Sequence, residues 1–222
     1  MMRTSLRVAR RCVPVLMRLR LVLPALALLT NACARQVLSA RTTTRPTVVP
    51  AGAPASAGTG IGALSSSETV NYILARGLLV PVAGIAVSQL EDSFDEGRDA
   101  SRVHRALDIL APRGTPVLAA DDGKILRIGP NPLGGNTVYA TDPLGRVVYY
   151  YAHLDAYQPG LAVGATIARG DTLGIVGTTG NAPKDTPHLH FQVMRMPSDG
   201  KYWDGEPINP YPLFLLMHAA RP

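Results

Sequence analysis

The stretch "TPHLHFQV", Thr186 to Val193, sets two histidines one residue apart within a run of strand-forming residues. In a strand, residues i and i+2 share a face, about 6.6 Å apart at a rise of roughly 3.3 Å per residue. Read this way, His188 and His190 look to one side and Leu189 to the other. Two imidazoles aimed at one spot either stand on a wet strand face or belong to a site. The surrounding sequence has to decide between the two.

Outward from this stretch the texture is short apolar runs broken by turns. "TPVLAA" and "GKILRIG" flank Asp121-Asp122-Gly123, which reads as a hairpin signal. "NTVYATD" and "RVVYYYAHL" flank Pro143-Leu144-Gly145, and "ATIARGDTLGIVG" precedes the two histidines. The chain holds 21 Gly and 19 Pro among 222 residues, with only 5% aromatics, a balance that favours a turn-rich β fold over a helical bundle. The expected fold is therefore mainly β, a compact antiparallel sheet or sandwich. Within Tyr149-Tyr150-Tyr151, the middle residue is expected in the core, with the others free to face a groove. "GTTGN", Gly177 to Asn181, matches no phosphate-loop spacing and reads as a flexible groove wall. "MPSDGKYWDGEPINPYPL", Met196 to Leu213, reads as a Pro-rich tail wrapping the surface.

The N-terminal third differs. Residues 1–34 hold six arginines and no acid, so of 22 basic residues 16 remain beyond them, against 16 acidic ones. The net charge of +6 belongs to that segment, and nothing in the rest suggests a nucleic-acid surface. A basic start, the apolar run "LVLPALALL" and then "NACAR" follow the order of a secretory signal. The apolar run is far shorter than the ~20 residues of a spanning helix. Cleavage can fall after Ala34, or Cys33 can become a lipidated N-terminus, although Thr30 stands where a lipoprotein signal wants leucine. Both cysteines, Cys12 and Cys33, lie here, so cleavage after Ala34 leaves no disulfide. Residues 35–67 form a linker, with a Thr/Pro/Ala/Gly/Ser-rich tether from Arg41 to Ser67. Residues 68–92 supply one short helix, with Ser67 as its cap, Val70, Ile73 and Leu74 as its apolar stripe and Gly77 as its stop, followed by a lead-in. Residues 93–222 form the β domain.

Within that domain stand His104, Asp108, His153, His188 and His190, from "RVHRALDIL", "YYYAHLD" and "HLHF". His104 and Asp108, four apart, share a face in helix or strand. Four imidazoles and a carboxylate beside turn-rich sequence suit a catalytic zinc, which commonly takes three His or Asp/Glu ligands and leaves one position open. His218, near the C-terminus, reads as incidental, and Asp121-Asp122 as a turn rather than a catalytic pair.

Taken together, "HRALD", "APRGTPVLAADDGKI", "YYYAHLD" and "GDTLGIVGTTGNAPKDTPHLHFQV" resemble the LytM/lysostaphin-type zinc metallopeptidases. The likeness runs from about Ser93 to Val193, with the motifs in family order, and "GNAPKDTPHLHF" looks like the Gram-negative envelope branch. The resemblance implies a small antiparallel β fold with a groove. It implies one zinc ion on His104, Asp108 and His190, with His153 and His188 as catalytic histidines that do not bind it. Ala106 stands where the family usually has glycine. The implied activity is hydrolysis of peptide cross-links in peptidoglycan, at the bond from D-Ala to diaminopimelate in a Gram-negative wall. The alternative is a non-enzymatic wall regulator or amidase activator of the same fold, against which the full ligand set speaks. The expected partners are peptidoglycan peptide stems. The protein is expected to be a monomer, exported to the periplasm or outer-membrane-associated envelope, with attachment through Cys33 if that residue is lipidated.

Overall fold

The computed structural model describes residues 64–99 and 102–220. The expected signal segment, Cys33 and nearly all of the expected linker lie outside them. The elements are α1 (Ser66–Arg76), β1 (Gly97–Asp99), β2 (Arg102–Val103), β3 (Leu107–Leu110), β4 (Pro116–Leu118), β5 (Gly123–Asn131) and β6 (Gly135–Thr141). They continue with β7 (Val147–Tyr157), β8 (Thr166–Ile167), β9 (Thr172–Val176), β10 (His188–Arg195), β11 (Glu206–Ile208) and α2 (Pro210–Ala219). No helix among the described residues is long and apolar enough to cross a membrane.

The opening stretch is β10, and it organises a nine-stranded antiparallel sheet. One edge of β10 pairs with β7, from His190 opposite Ala152 to Arg195 opposite Val147. Its other edge takes β3 first, with His190 opposite Asp108, and then β11. The sheet runs on through β6, β5 and β8, while β9 pairs with β7 and β4. β1 and β2 form a separate two-stranded ribbon.

Period-two alternation divides the chemistry between the faces. Leu189, Phe191 and Val193 are fully buried on one face with Tyr149 and Tyr151. Ile73 of α1 and Leu213 and Phe214 of α2 join the same core, where Phe191 and Phe214 have ring centroids 6.3 Å apart. Each such side chain contributes about 1.5–3 kcal/mol through burial. The other face carries His188, His190, Tyr150 and Met194. The middle tyrosine is thus the one at the groove and its two neighbours are core. The expectation was the reverse because it ignored that odd and even residues separate.

Other local expectations also shift. Ser65, not Ser67, caps α1: its Oγ accepts from the Glu68 N–H, and the Glu68 carboxylate accepts from the Ser65 N–H. Gly77 ends the helix at φ +71°, as its freedom from a Cβ allows. β4 and β5 are not a hairpin: β4 pairs with β9, and β5 with β6 and β8. Asp121 between them is almost wholly buried and accepts from Arg76 Nε and Nη2 (2.5 and 2.8 Å), Arg169 Nη2 (3.0 Å) and Tyr149 Oη (3.0 Å). The expected surface tail is β11 followed by α2. Pro210 and Pro212 sit in the first turn of α2, where backbone N–H groups have no intrahelical partner, and Asn209 caps it.

Candidate metal centre

The non-core face of β10 opens on a cavity of about 520 Å³ lined by His104, Asp108, His153, His188 and His190. All five residues singled out in the sequence meet there. His218 does not; it lines a separate apolar cavity beside α2.

His104 Nε2, Asp108 Oδ1 and His190 Nδ1 form a triangle with edges of 2.9, 2.9 and 3.1 Å. His190 lies opposite Asp108 across the β10–β3 ladder, so strand pairing itself brings two corners together. His104 reaches the third corner from the loop before β3. That loop is strained: Arg105 stands at φ +54°, a region costing roughly 1–2 kcal/mol for a residue with a side chain. Among the described residues, His153, at φ +61°, is the other non-glycine residue of this kind. Its N–H donates to Gly134 O at 2.7 Å. Gly134 is required here, because a Cβ on it would lie 2.1 Å from the Tyr150 hydroxyl.

The tautomers follow from the partners. His104 Nδ1 lies 2.8 Å from Ser93 O, His153 Nδ1 2.9 Å from Thr179 O, and His188 Nδ1 2.8 Å from Thr186 O. A carbonyl only accepts, so each Nδ1 carries the hydrogen and each neutral ring keeps its lone pair on Nε2. The His104 lone pair therefore faces the Asp108 carboxylate at 2.9 Å. One hydrogen on His190 Nδ1 can serve only part of the triangle, whereas a cation at its centre serves all three donor atoms. Tetrahedral zinc with bonds of 2.0–2.1 Å has ligand-to-ligand edges of about 3.3 Å, close to those observed. The donor set thus fits zinc, and these three residues could hold a metal ion.

Burial raises the Asp108 carboxyl, but its close contacts with the His104 and His190 imidazoles outweigh burial and hold the group well below the usual carboxylate range. Burial lowers His190, partly offset by Asp108. Burial, with help from His190 and His188, pushes His153 down to about 4 against the bond to Thr179. His153 is then a neutral imidazole near neutral pH. Its ring centroid lies 5.0 Å from that of His188 and 5.5 Å from that of His190. The five groups thus comprise three atoms that could share a cation and two further imidazoles beside them.

The wall read as flexible is tied down. Thr179 Oγ1 donates to Leu154 O and accepts from the Asn136 N–H, and Lys184 Nζ donates to Thr178 O. Tyr150, Ser93 and Arg98 are site residues that sequence reasoning missed. Strict alternation along β7 would have found Tyr150, whereas Ser93 and Arg98 carry no local signal.

The family model for Peptidase family M23 matches residues 102–210, a span that includes all five residues. Residues 102–210 form an M23 domain. The chain is 34% identical over 114 residues to the DD-carboxypeptidase/endopeptidase Mpg of Neisseria meningitidis serogroup B, covering 51% of this chain and 23% of that protein. It is 33% identical over 93 residues to the peptidoglycan DD-endopeptidase ShyC of Vibrio cholerae, covering 42% of this chain and 20% of that protein. The match therefore spans about a quarter or less of these relatives' length. Among solved structures, a candidate glycyl-glycine endopeptidase LytM from Ruminococcus gnavus superposes with a TM-score of 0.55 at 25% identity, covering 70% of this chain and 66% of that one. The antiparallel M23 sheet expected from the sequence is the fold observed.

Proposed function

We propose that the protein is a zinc endopeptidase that hydrolyses peptide cross-links in peptidoglycan, with His104, Asp108 and His190 as the metal ligands. The observation that carries this reading is the triangle of Nε2, Oδ1 and Nδ1, with edges of 2.9–3.1 Å, three atoms that can each offer a lone pair to one cation. The similarity to endopeptidases, one of them named for peptidoglycan, supports the substrate class. Zinc bound there supplies a Lewis acid that acidifies water and polarises a carbonyl.

The protein's own groups do the rest. Asp108, His104 and His190 would hold the cation. His153 and His188 each present a bare Nε2, because their Nδ1–H groups are committed to Thr179 O and Thr186 O. One of these nitrogens takes the proton from the attacking water and delivers it to the leaving amine. The other, when its Nε2 has taken a proton from solvent, donates to the developing oxyanion. Tyr150, edge-on to His190 with centroids 6.0 Å apart, walls the groove. The leader-like residues 1–34 support export to the envelope, and Cys33 supports lipid attachment; the intact mass of the mature protein tests both.

The deciding experiment incubates the full chain with purified sacculi, with and without a chelator. Soluble muropeptides should appear, stop with the chelator and return with zinc. Unchanged cleavage after metal removal would overturn the metal reading, and a zinc-loaded protein that releases nothing would favour the regulator.

A further inference from the structure

The family-matched residues begin at 102, yet the two first-motif side chains are held from behind by residues upstream of that point. Residues 93–98 run as a strap along the His104–Asp108 loop. Ser93 O accepts from His104 Nδ1–H at 2.8 Å, and Ser93 Oγ accepts from the Asp108 N–H at 3.0 Å. Glu96 O accepts from the His104 N–H at 2.9 Å, and Phe94 O from the Arg105 N–H at 2.8 Å. The Arg105 guanidinium pairs with Asp95 at 2.5 Å and lies 5.3 Å from the centre of the Phe94 ring. The strap therefore holds the strained φ of Arg105 as well as both ligands beside it.

The strap's one side chain that touches a donor group of the cation site is Arg98. Its Nη2 donates to Asp108 Oδ2, the oxygen outside the triangle, which lies 3.7 Å from His188 Nε2, and Arg98 itself lines the cavity. We propose that Arg98 is a positioning residue for the metal: it occupies Oδ2 and so leaves Oδ1 as the single ligating oxygen of Asp108, aimed between His104 and His190. This rests on the metal reading above. A carboxylate on one rotatable bond can swing or turn its second oxygen inward. A charge-assisted bond to one oxygen removes both freedoms before the cation arrives. Groups that orient a ligand in this way are commonly worth 10–100-fold in metal affinity.

The test measures zinc affinity by competition with a chromophoric chelator, alongside the melting temperature of the metal-free protein. It compares the full chain with Arg98→Ala, Arg98→Lys and Lys201→Ala, the last a remote exposed control. Arg98→Ala should raise the zinc Kd about 10–100-fold, Arg98→Lys should recover part of that loss, and Lys201→Ala should change nothing. The metal-free melting temperatures should agree within about 2 °C. An Arg98→Ala protein whose Kd stays within about threefold of the parent's overturns the positioning role and leaves the zinc reading standing. Weaker binding accompanied by a large fall in metal-free melting temperature would make Arg98 a structural residue only. A parent chain that binds no zinc would overturn the metal reading itself, and this role with it.

Discussion

Asp108 and Asp121 stand thirteen positions apart in the sequence, both largely buried, both with carboxyls held below the ordinary range, yet their surroundings are opposite. Around Asp121, burial raises the carboxyl, but donors from Arg76, Arg169 and Tyr149 outweigh it. Every contact there is donor to acceptor, and the cluster pins α1 to the sheet. Around Asp108, Arg98 satisfies one oxygen, while the other stands 2.9 Å from His104 Nε2 and 3.1 Å from His190 Nδ1. A buried carboxylate whose lone pairs are all met is structural. One whose oxygen meets two ring nitrogens at hydrogen-bond distance is arranged to share a cation with them.

The sharpest way to break this comparison is the same substitution at both positions. In Asp108→Asn the amide NH2 can donate to the imidazoles while its oxygen accepts from Arg98. The metal-free protein should be at least as stable as the parent, but zinc binding and sacculus cleavage should be lost. His190→Ala should lose both as well. Asp121→Asn leaves two guanidiniums facing a neutral group. Breaking a buried pair by removing one partner costs about 3–5 kcal/mol, so unfolding should shift by that amount while the folded fraction still binds zinc. Denaturant titration and elemental analysis, run on both variants, read the two effects. A stable Asp121→Asn that loses zinc would erase the distinction.

The two remaining histidines refine the functional side. His188→Ala and His153→Ala should keep near-stoichiometric zinc and lose roughly 10²–10⁴-fold in turnover, the usual worth of a positioned acid or base. Loss of zinc from His188→Ala, with retention in His190→Ala, would exchange the roles of the two β10 histidines. Full activity in His188→Ala would remove its catalytic role.

Acid sharpens the structural side more gently. The folded Asp121 carboxyl lies below its unfolded value of about 3.9. The stability it contributes is therefore present above that pH and fades as pH falls through the lower, folded value. Stability should decline more shallowly with falling pH in Asp121→Asn than in the parent. Parallel pH profiles of unfolding would detach the cluster from acid sensitivity.

The sequence made one side of the comparison far more legible than the other. The site was readable because period-two alternation on β10 is local and because the motifs occur in family order, although His104 joins Asp108 from a loop and not along a shared helix or strand face. The Asp121 cluster was invisible because Asp-Asp-Gly carries only a local turn signal, whereas its arginines come from positions 76 and 169. The pairing of β4 with β9 was invisible for the same reason, since turn chemistry says nothing about partners fifty residues away. α2 was hidden behind two prolines that local composition reads as loop, although the first turn of a helix tolerates both. Ser93 and Arg98 contact His104 and Asp108, 11 and 10 residues on, across a turn no pattern specifies.

The smallest expected effect tests whether the structural region is structural throughout. Ser65 caps the helix that Asp121 fastens, and Ser65→Ala removes the acceptor for the Glu68 N–H. Losing such a cap costs about 1 kcal/mol, within a usual range of 0.5–2. α1 reaches the core through Ile73 and the Asp121 cluster through Arg76, and none of its residues lines the metal cavity. The loss should therefore appear in full in the unfolding midpoint, with zinc affinity and the pH profile of cleavage unchanged. A shift in zinc affinity from this substitution would mean that α1 communicates with the Asp108 site through the sheet, so the two carboxylates would no longer be independent.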